Sequence, residues 1–85
     1  MKIHELEAYA WVGEDEAGSG EIGIKRAIVP AGNVPIVAIE QGKIDVDYIK
    51  SQLQAQSNRC GKTIYLVKLK FEQIEEVLKP QTTGN

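Results

Sequence analysis

Hydrophobic and polar residues alternate along the beginning of the chain. In the range 3–12 every second residue from Leu6 onward is apolar, and the alternate positions from Glu5 onward carry charges or aromatic rings. This period of two is typical of a half-buried strand. The apolar set is Leu6, Ala8, Ala10 and Val12, and the alternate set is Glu5, Glu7, Tyr9 and Trp11. We expect the apolar set to face the core and the alternate set to face outward.

Two more segments predict strands. Residues 21–29 alternate, with Ile22, Ile24 and Ile28 sharing a side with Arg26. The sequence Pro-Ala-Gly-Asn at 30–33 has turn chemistry, and a β-branched run follows at 34–39. Because Pro35 interrupts that run, it predicts an edge strand or a kinked entry.

One helix is predicted from position 45 onward. Asp45 precedes an apolar series at helical spacing, where it can accept hydrogen bonds from first-turn amides. Val46, Ile49 and Leu53 form that series. Gly61 suits the position just after the helix, where a positive φ ends it.

The range 62–71 has the strongest strand pattern in the chain. Tyr65, Val67 and Leu69 alternate with Ile64, Leu66 and Lys68. The next segment, 72–79, fits either a short helix or an extension of the strand, with helix slightly favoured. Residues 80–85 are polar and are predicted to fray.

This order of elements, β-β-β-α-β, predicts a two-layer α+β domain over residues 1–79. Short connections favour an antiparallel four-stranded sheet, and the amphipathic helix packs on it. A chain of 85 residues makes one domain. Small domains without disulfides or metals often gain stability by association, so we expect a homodimer rather than a monomer.

Composition narrows the functional classes. The single Cys60 excludes an internal disulfide, no cysteine cluster is present to hold zinc, and no cofactor is expected. The charged N-terminus does not resemble a signal peptide, and no apolar run is long enough to span a membrane. These features favour the cytoplasm. The net charge of −2 does not favour nucleic-acid binding, which usually needs a strongly basic domain.

Glycines at 18, 20 and 23 match the G-x-G-x-x-G spacing of dinucleotide-binding folds. The match extends to an apolar run that ends at Glu40, where such folds place a ribose-binding acid. However, the acidic residues 14–16 separate the first strand from the glycines, and Pro30 leaves too little room for the crossover helix. We therefore interpret the glycines as part of a hairpin loop.

Tyr9 and Trp11 are the first candidate for binding. They occupy one side of the first strand, and these two residue types dominate protein–protein interfaces. The alternative is that both rings pack in the core. The acidic loop residues Glu14, Asp15 and Glu16 lack the spacing of a calcium loop, so no metal is expected there.

Basic residues form the second candidate site. Arg26 lies among isoleucines, and Arg59 and Lys62 lie on either side of the predicted helix end. Together they would attract an anionic metabolite or nucleotide. The alternative is that these charges are simply solvated.

The sequence therefore predicts a small non-catalytic binding protein of the inhibitor or adaptor type, acting through Tyr9, Trp11 and the acidic loop. A binder of an anionic small ligand is the alternative. A weaker one is an enzyme using Cys60 and His4, although nothing in their spacing brings a nucleophile and a base together.

Overall fold

A computed structural model describes residues 6 to 81 of the chain. It contains an antiparallel sheet and one helix, which confirms the predicted α+β class. A short 3-10 turn over Gln41–Lys43 precedes the helix. In chain order the elements are β1 Glu7–Glu14, β2 Ile22–Ile24, β3 Arg26–Val29, β4 Gly32–Pro35, β5 Val37–Ala38, α1 Asp47–Cys60 and β6 Ile64–Lys70.

Strand β1 is the centre of the sheet. Along one edge it pairs with β6, from Glu7 opposite Lys70 to Gly13 opposite Ile64. Its other edge is shared by two strands, because β2 pairs with residues 12–14 and β5 pairs with residues 9–10. All of these pairs are antiparallel, and the loop between β1 and β2 contains the glycines Gly18 and Gly20 at positive φ. The hairpin-loop interpretation is therefore confirmed.

A three-way backbone junction separates β2 from β5. The Lys25 amide donates to the Trp11 carbonyl at 2.8 Å, and the Trp11 amide donates to the Ile36 carbonyl at 3.2 Å. The Ile36 amide donates to the Lys25 carbonyl at 2.9 Å and so closes the triangle. After Lys25 the chain turns away from the edge of β1 and forms the β3–β4 hairpin. It comes back to that edge at Ile36.

The single strands predicted over 21–29 and 34–39 are therefore wrong in detail. Each is divided into two shorter strands at the junction, one in the sheet and one in the hairpin. Alternation survives the bend, since Ala27 and Ile36 still point inward and are almost fully buried. A period-two pattern reports which side chains are buried, but it does not report where a strand changes its neighbour.

The core lies between the helix and one face of the sheet. Its buried cluster consists of Ala27, Ile36, Ile44, Ile49 and Leu53. Ile49 and Leu53 are one helical turn apart, so α1 presents both to the strands. Burial of these side chains is the main favourable contribution to the fold.

The helix begins two residues later than predicted. Val46 occupies the N-cap, and its side chain makes no capping bond. Asp45 instead contacts Lys50, with 2.7 Å between Oδ1 and Nζ, and this ion pair lowers the pKa of the Asp45 carboxyl. Gly61 ends the helix at φ 69°, as predicted.

The segment after β6 has neither of the two predicted forms. Residues 71–81 contain no helix and no strand, although 72–79 was expected to adopt one of them. Within residues 6–81, no helix is long and apolar enough to cross a membrane. The start of the predicted first strand, including His4, and residues 82–85 of the predicted frayed tail lie outside the described residues.

Candidate functional site

The two faces of the sheet have different surroundings. Directly opposed residues of an antiparallel pair lie on the same face, so Trp11 shares a face with Leu66, and Tyr9 shares it with Ala38. These four side chains pack against the buried cluster that includes Ile49 of α1. This is the helix side of the sheet.

The opposite face of the sheet is uncovered and apolar. We define this open face by its strand residues: Ala8, Ala10 and Val12 of β1, Ile22 and Ile24 of β2, Val37 of β5, and Tyr65, Val67 and Leu69 of β6. None of them belongs to the core cluster or to the residues packed on it. Exposure of the large side chains reaches 59% at Tyr65 and 67% at Ile22.

Two alanines form the floor of the open face. Ala8 and Ala10 are buried, with Ala10 fully inaccessible, because longer side chains flank them on neighbouring strands. Ala10 lies between Val37 and Val67. The result is a shallow apolar surface with raised sides, which exposes on the order of 500 Å², within the roughly 300–600 Å² of the largest patch on a typical monomer.

The charged side chains of the sheet lie mainly on its helix side. Lys68 and Lys70 of β6 alternate with open-face residues and so share the helix side with Glu7. At the margin of the open face, Glu14 is opposite Ile22 and is held by Lys62, with 2.7 Å between Oε2 and Nζ. A sheet face that is exposed to water normally carries polar residues. This face has the composition of a buried one.

The acidic loop is tied to the end of the helix. Besides the Glu14–Lys62 ion pair, Glu16 Oε1 lies 2.7 Å from the Arg59 guanidinium. Four of the predicted site residues are thus brought together as two ion pairs. The contact with Glu14 raises the pKa of the Lys62 ammonium.

Asp15 organises the loop from within. Its carboxylate accepts hydrogen bonds from the Ser19 hydroxyl and from the Ser19 amide, the latter at 3.0 Å. These bonds favour the ionised carboxylate and lower the pKa of Asp15. The loop therefore has a defined shape, which a solvated acidic cluster would lack.

A groove of about 660 Å³ runs between this loop, strands β2 and β3, and α1. Three acids and three bases line it: Asp15, Glu16, Glu21, Lys25, Arg26 and Arg59. Arg26 donates to the Asn33 carbonyl at 2.7 Å, whereas Lys62 lines a separate depression beside Tyr65. The predicted basic cluster is therefore divided, and acids offset its charge.

The outward orientation predicted for Tyr9 and Trp11 is wrong. Both rings lie on the helix side, and the indole Nε1 of Trp11 donates to the Ile44 carbonyl at 2.9 Å. Lys68 Nζ lies 5.8 Å from the centre of the Tyr9 ring. The alternative considered from sequence, that these rings pack in the core, is what the structure contains.

Sequence reasoning missed Lys25 and the open face. Lys25 is only 8% exposed, and its Nζ donates to the Glu14 carbonyl at 3.1 Å, which links the junction to the loop. The open face had a signal, because the alternate positions 65, 67 and 69 are all apolar. A strand with a charged side and an entirely apolar side indicates that the apolar side is covered.

Neither a Cys60–His4 catalytic pair nor a metal site gains support from the contacts of the described residues. Cys60 is half-buried at the end of α1, and its thiol donates to the Gln56 carbonyl at 3.0 Å. His4 lies outside the described residues. Among residues 6–81, no three His, Cys, Asp or Glu side chains lie together as metal ligands.

No protein-family model, curated protein or solved structure matches this chain.

Proposed function

We propose that this chain is a small cytoplasmic, non-catalytic binding protein that pairs with a second copy of itself through the open face. One observation carries the proposal: the uncovered side of the sheet is uniformly apolar along its strands. The pair then presents its acidic loops to a protein partner, as an inhibitor or adaptor does.

The area of the open face supports a second copy as the occupant. A stable protein interface buries about 800 Å² on each partner. The open face supplies on the order of 500 Å² of apolar area, and rim residues such as Phe71 add to it. A dimer with a twofold axis buries the same surface on both copies, so both open faces are covered.

The acidic loop supports a protein partner for the pair. Ion pairs to Arg59 and Lys62, together with the Ser19 bonds, restrain the loop. A pre-organised loop loses less conformational entropy on binding than a disordered one. Glu21 lines the adjoining groove and is exposed, so it offers an acid for a basic partner group.

The same contacts favour this function over capture of an anionic small ligand. Arg59 and Lys62 each contact a carboxylate at 2.7 Å, and Arg26 donates to a backbone carbonyl. The groove contains as many acids as bases, and its carboxylates at Asp15, Glu16 and Glu21 oppose the binding of an anion.

A matched pair of substitutions tests the proposal. Ile24 and Ile28 are both exposed isoleucines in consecutive strands, but only Ile24 lies on the open face, in a row with Val12 and Tyr65. Ile24→Lys should raise the dimer dissociation constant at least tenfold, because a buried lysine without a partner is costly. Ile28→Lys, at a site 67% exposed, should leave it unchanged.

The measurement is sedimentation equilibrium from 1 μM to 1 mM, with circular dichroism to check that both variants fold. A wild-type chain that remains monomeric throughout this range contradicts the proposal. So does equal weakening by both substitutions, because the open face would then have no special role.

A further inference from the structure

The segment after β6 is apolar and has nothing to pack on. Ile74, Val77 and Leu78 are 53%, 61% and 88% exposed, although they belong to the residue types most often buried. Residues 72–81 are exposed throughout. Phe71, which is half-buried, continues the alternation of Tyr65, Val67 and Leu69. The segment therefore starts at the end of a strand that forms part of the open face.

The spacing of these residues is that of an amphipathic helix. Phe71, Ile74, Val77 and Leu78 follow one another by three, three and one positions, which places them on one stripe. Glu72 and Glu76 fall on the opposite side, and Pro80 comes after the pattern. Helices of about two turns are marginal in water on their own. The stripe must be buried before such a helix is stable.

The segment leaves the chain's own open face uncovered. Residues 72–81 are exposed throughout, so they do not pack on the sheet. Tyr65 and Leu69 of the open face are themselves 59% and 41% exposed. Both the apolar stripe and the apolar face therefore lack a partner within one chain of this structure.

We propose that residues 71–79 fold into an amphipathic helix on the open face of a second copy, and that the two copies exchange these segments reciprocally. This inference rests on the proposed function, since it specifies how the open face is covered. A twofold axis makes the exchange reciprocal, so it closes with two copies.

The areas agree with this arrangement. The three exposed side chains of the stripe present on the order of 300 Å² and would cover a similar area of the open face. Two such contacts would bury about 1,200 Å² in total, which is the lower end of the range for specific interfaces. The acidic side of the helix would face water, and the apolar side would meet an apolar surface.

Two double variants of the full chain test the segment. Ile74→Gln with Leu78→Gln removes two members of the stripe, whereas Glu72→Gln with Glu76→Gln introduces the same residue on the opposite side. The first variant should raise the dimer dissociation constant at least tenfold and abolish helical chemical shifts in residues 72–78. The second variant should keep the helical chemical shifts and change the dimer dissociation constant by less than twofold.

A mixing experiment distinguishes exchange from folding within one chain. The Ile24→Lys variant keeps a normal segment, and the Ile74→Gln/Leu78→Gln variant keeps a normal face. Each should be monomeric alone at a concentration where the wild type is dimeric, and a mixture should give a heterodimer with one intact contact. Native mass spectrometry resolves this species because the two variants differ in mass.

The outcomes separate this inference from the proposed function. If the wild type dimerises but residues 72–78 show no helical shifts, or if the segment variant dimerises normally, exchange is wrong and dimerisation through the open face stands. If helical shifts persist in a dilute monomer, the segment folds without a partner and exchange is wrong. If the wild type never dimerises, both are wrong.

Discussion

Trp11 contributes to the fold through both its backbone and its side chain. Its amide and carbonyl are two of the groups in the junction with Lys25 and Ile36, and its indole reaches the Ile44 carbonyl. The residue therefore connects the centre of the sheet with the segment that leads into α1. A substitution at Trp11 would perturb this framework, so it is unsuited to probing a surface contact.

The carboxyl of Asp15 makes the loop sensitive to acid. Its pKa is lowered by the Ser19 hydrogen bonds, so the folded state favours the ionised form more than the unfolded state does. This contribution is complete above the ordinary aspartate value of about 3.9 and is lost as pH falls through the lower, folded-state pKa. An NMR titration of the Asp15 carboxyl carbon should give a midpoint below 3.9.

The matched control for that titration is Ser19→Ala, which removes the hydroxyl donor. It should move the Asp15 midpoint upward while the titration of Asp45, whose pKa is lowered by Lys50, stays the same. An unshifted wild-type midpoint would mean that the Ser19 contacts do not persist in solution.

At single positions, the sequence predicts alternation well but not the assignment of faces. Ala8 and Ala10 were correctly placed on one side and Tyr9 and Trp11 on the other. Which side receives the helix depends on how α1 crosses the strands, and a period of two carries no information about that. The aromatic side, with its larger surface, packs against Ile49 and Leu53.

Among the elements, β3 is unusual because side chains occupy its outer edge. Gln52 accepts from the Ile28 amide at 2.8 Å and donates to the Ile28 carbonyl at 2.7 Å, and Gln56 donates to the Arg26 carbonyl at 2.8 Å. The Gln52 carboxamide thus satisfies one residue's backbone groups as a neighbouring strand would. This protects an edge that would otherwise be free to pair.

Replacing Gln52 by leucine should destabilise the protein by about 1–2 kcal/mol, because two hydrogen bonds are lost while the side-chain volume is kept. Urea unfolding followed by circular dichroism measures this change, and hydrogen exchange should accelerate at the Ile28 amide. Gln54→Leu is the control, since Gln54 is exposed on the same helix and its side chain donates to Asn58 of that helix. Equal losses from both substitutions would show that helix propensity, not edge protection, explains the effect.

The elements themselves were predictable to different degrees. The helix and its glycine stop follow from local chemistry, and the strong strand β6 follows from its β-branched and aromatic residues. Two predicted strands are divided at Lys25 and Ile36 because both residues form backbone hydrogen bonds with Trp11. Trp11 is remote from both in the sequence, so a local pattern does not reveal these bonds. The segment 72–79 was ambiguous for a physical reason, because a short helix needs its apolar stripe buried and this stripe is exposed in the structure.

At the scale of the whole molecule, the proposed pairing predicts a thermal stability that depends on concentration. The radius of gyration is 16.2 Å, compared with about 12 Å for a compact domain of this length. Part of the chain therefore lies outside a compact body. If folding and pairing are coupled, a tenfold rise in concentration adds about 1.4 kcal/mol per dimer.

That increment should raise Tm by roughly 3–6 °C, as measured by scanning calorimetry at 20 and 200 μM. The Ile24→Lys variant should melt at the same temperature at both concentrations. A wild-type Tm that does not move would indicate that the chain melts as a monomer.

The pairing of β1 with β6 has a consequence for how the protein is made. Gly13 pairs with Ile64, so on the order of fifty residues must be synthesised after β1 before that edge can close. At about 5–20 residues per second, the ribosome delivers them over several seconds. During this interval β2 and β5 can occupy one side of β1, while the other side remains an unpaired template. The nascent chain is thus most vulnerable to association with its neighbours on a polysome just before β6 emerges.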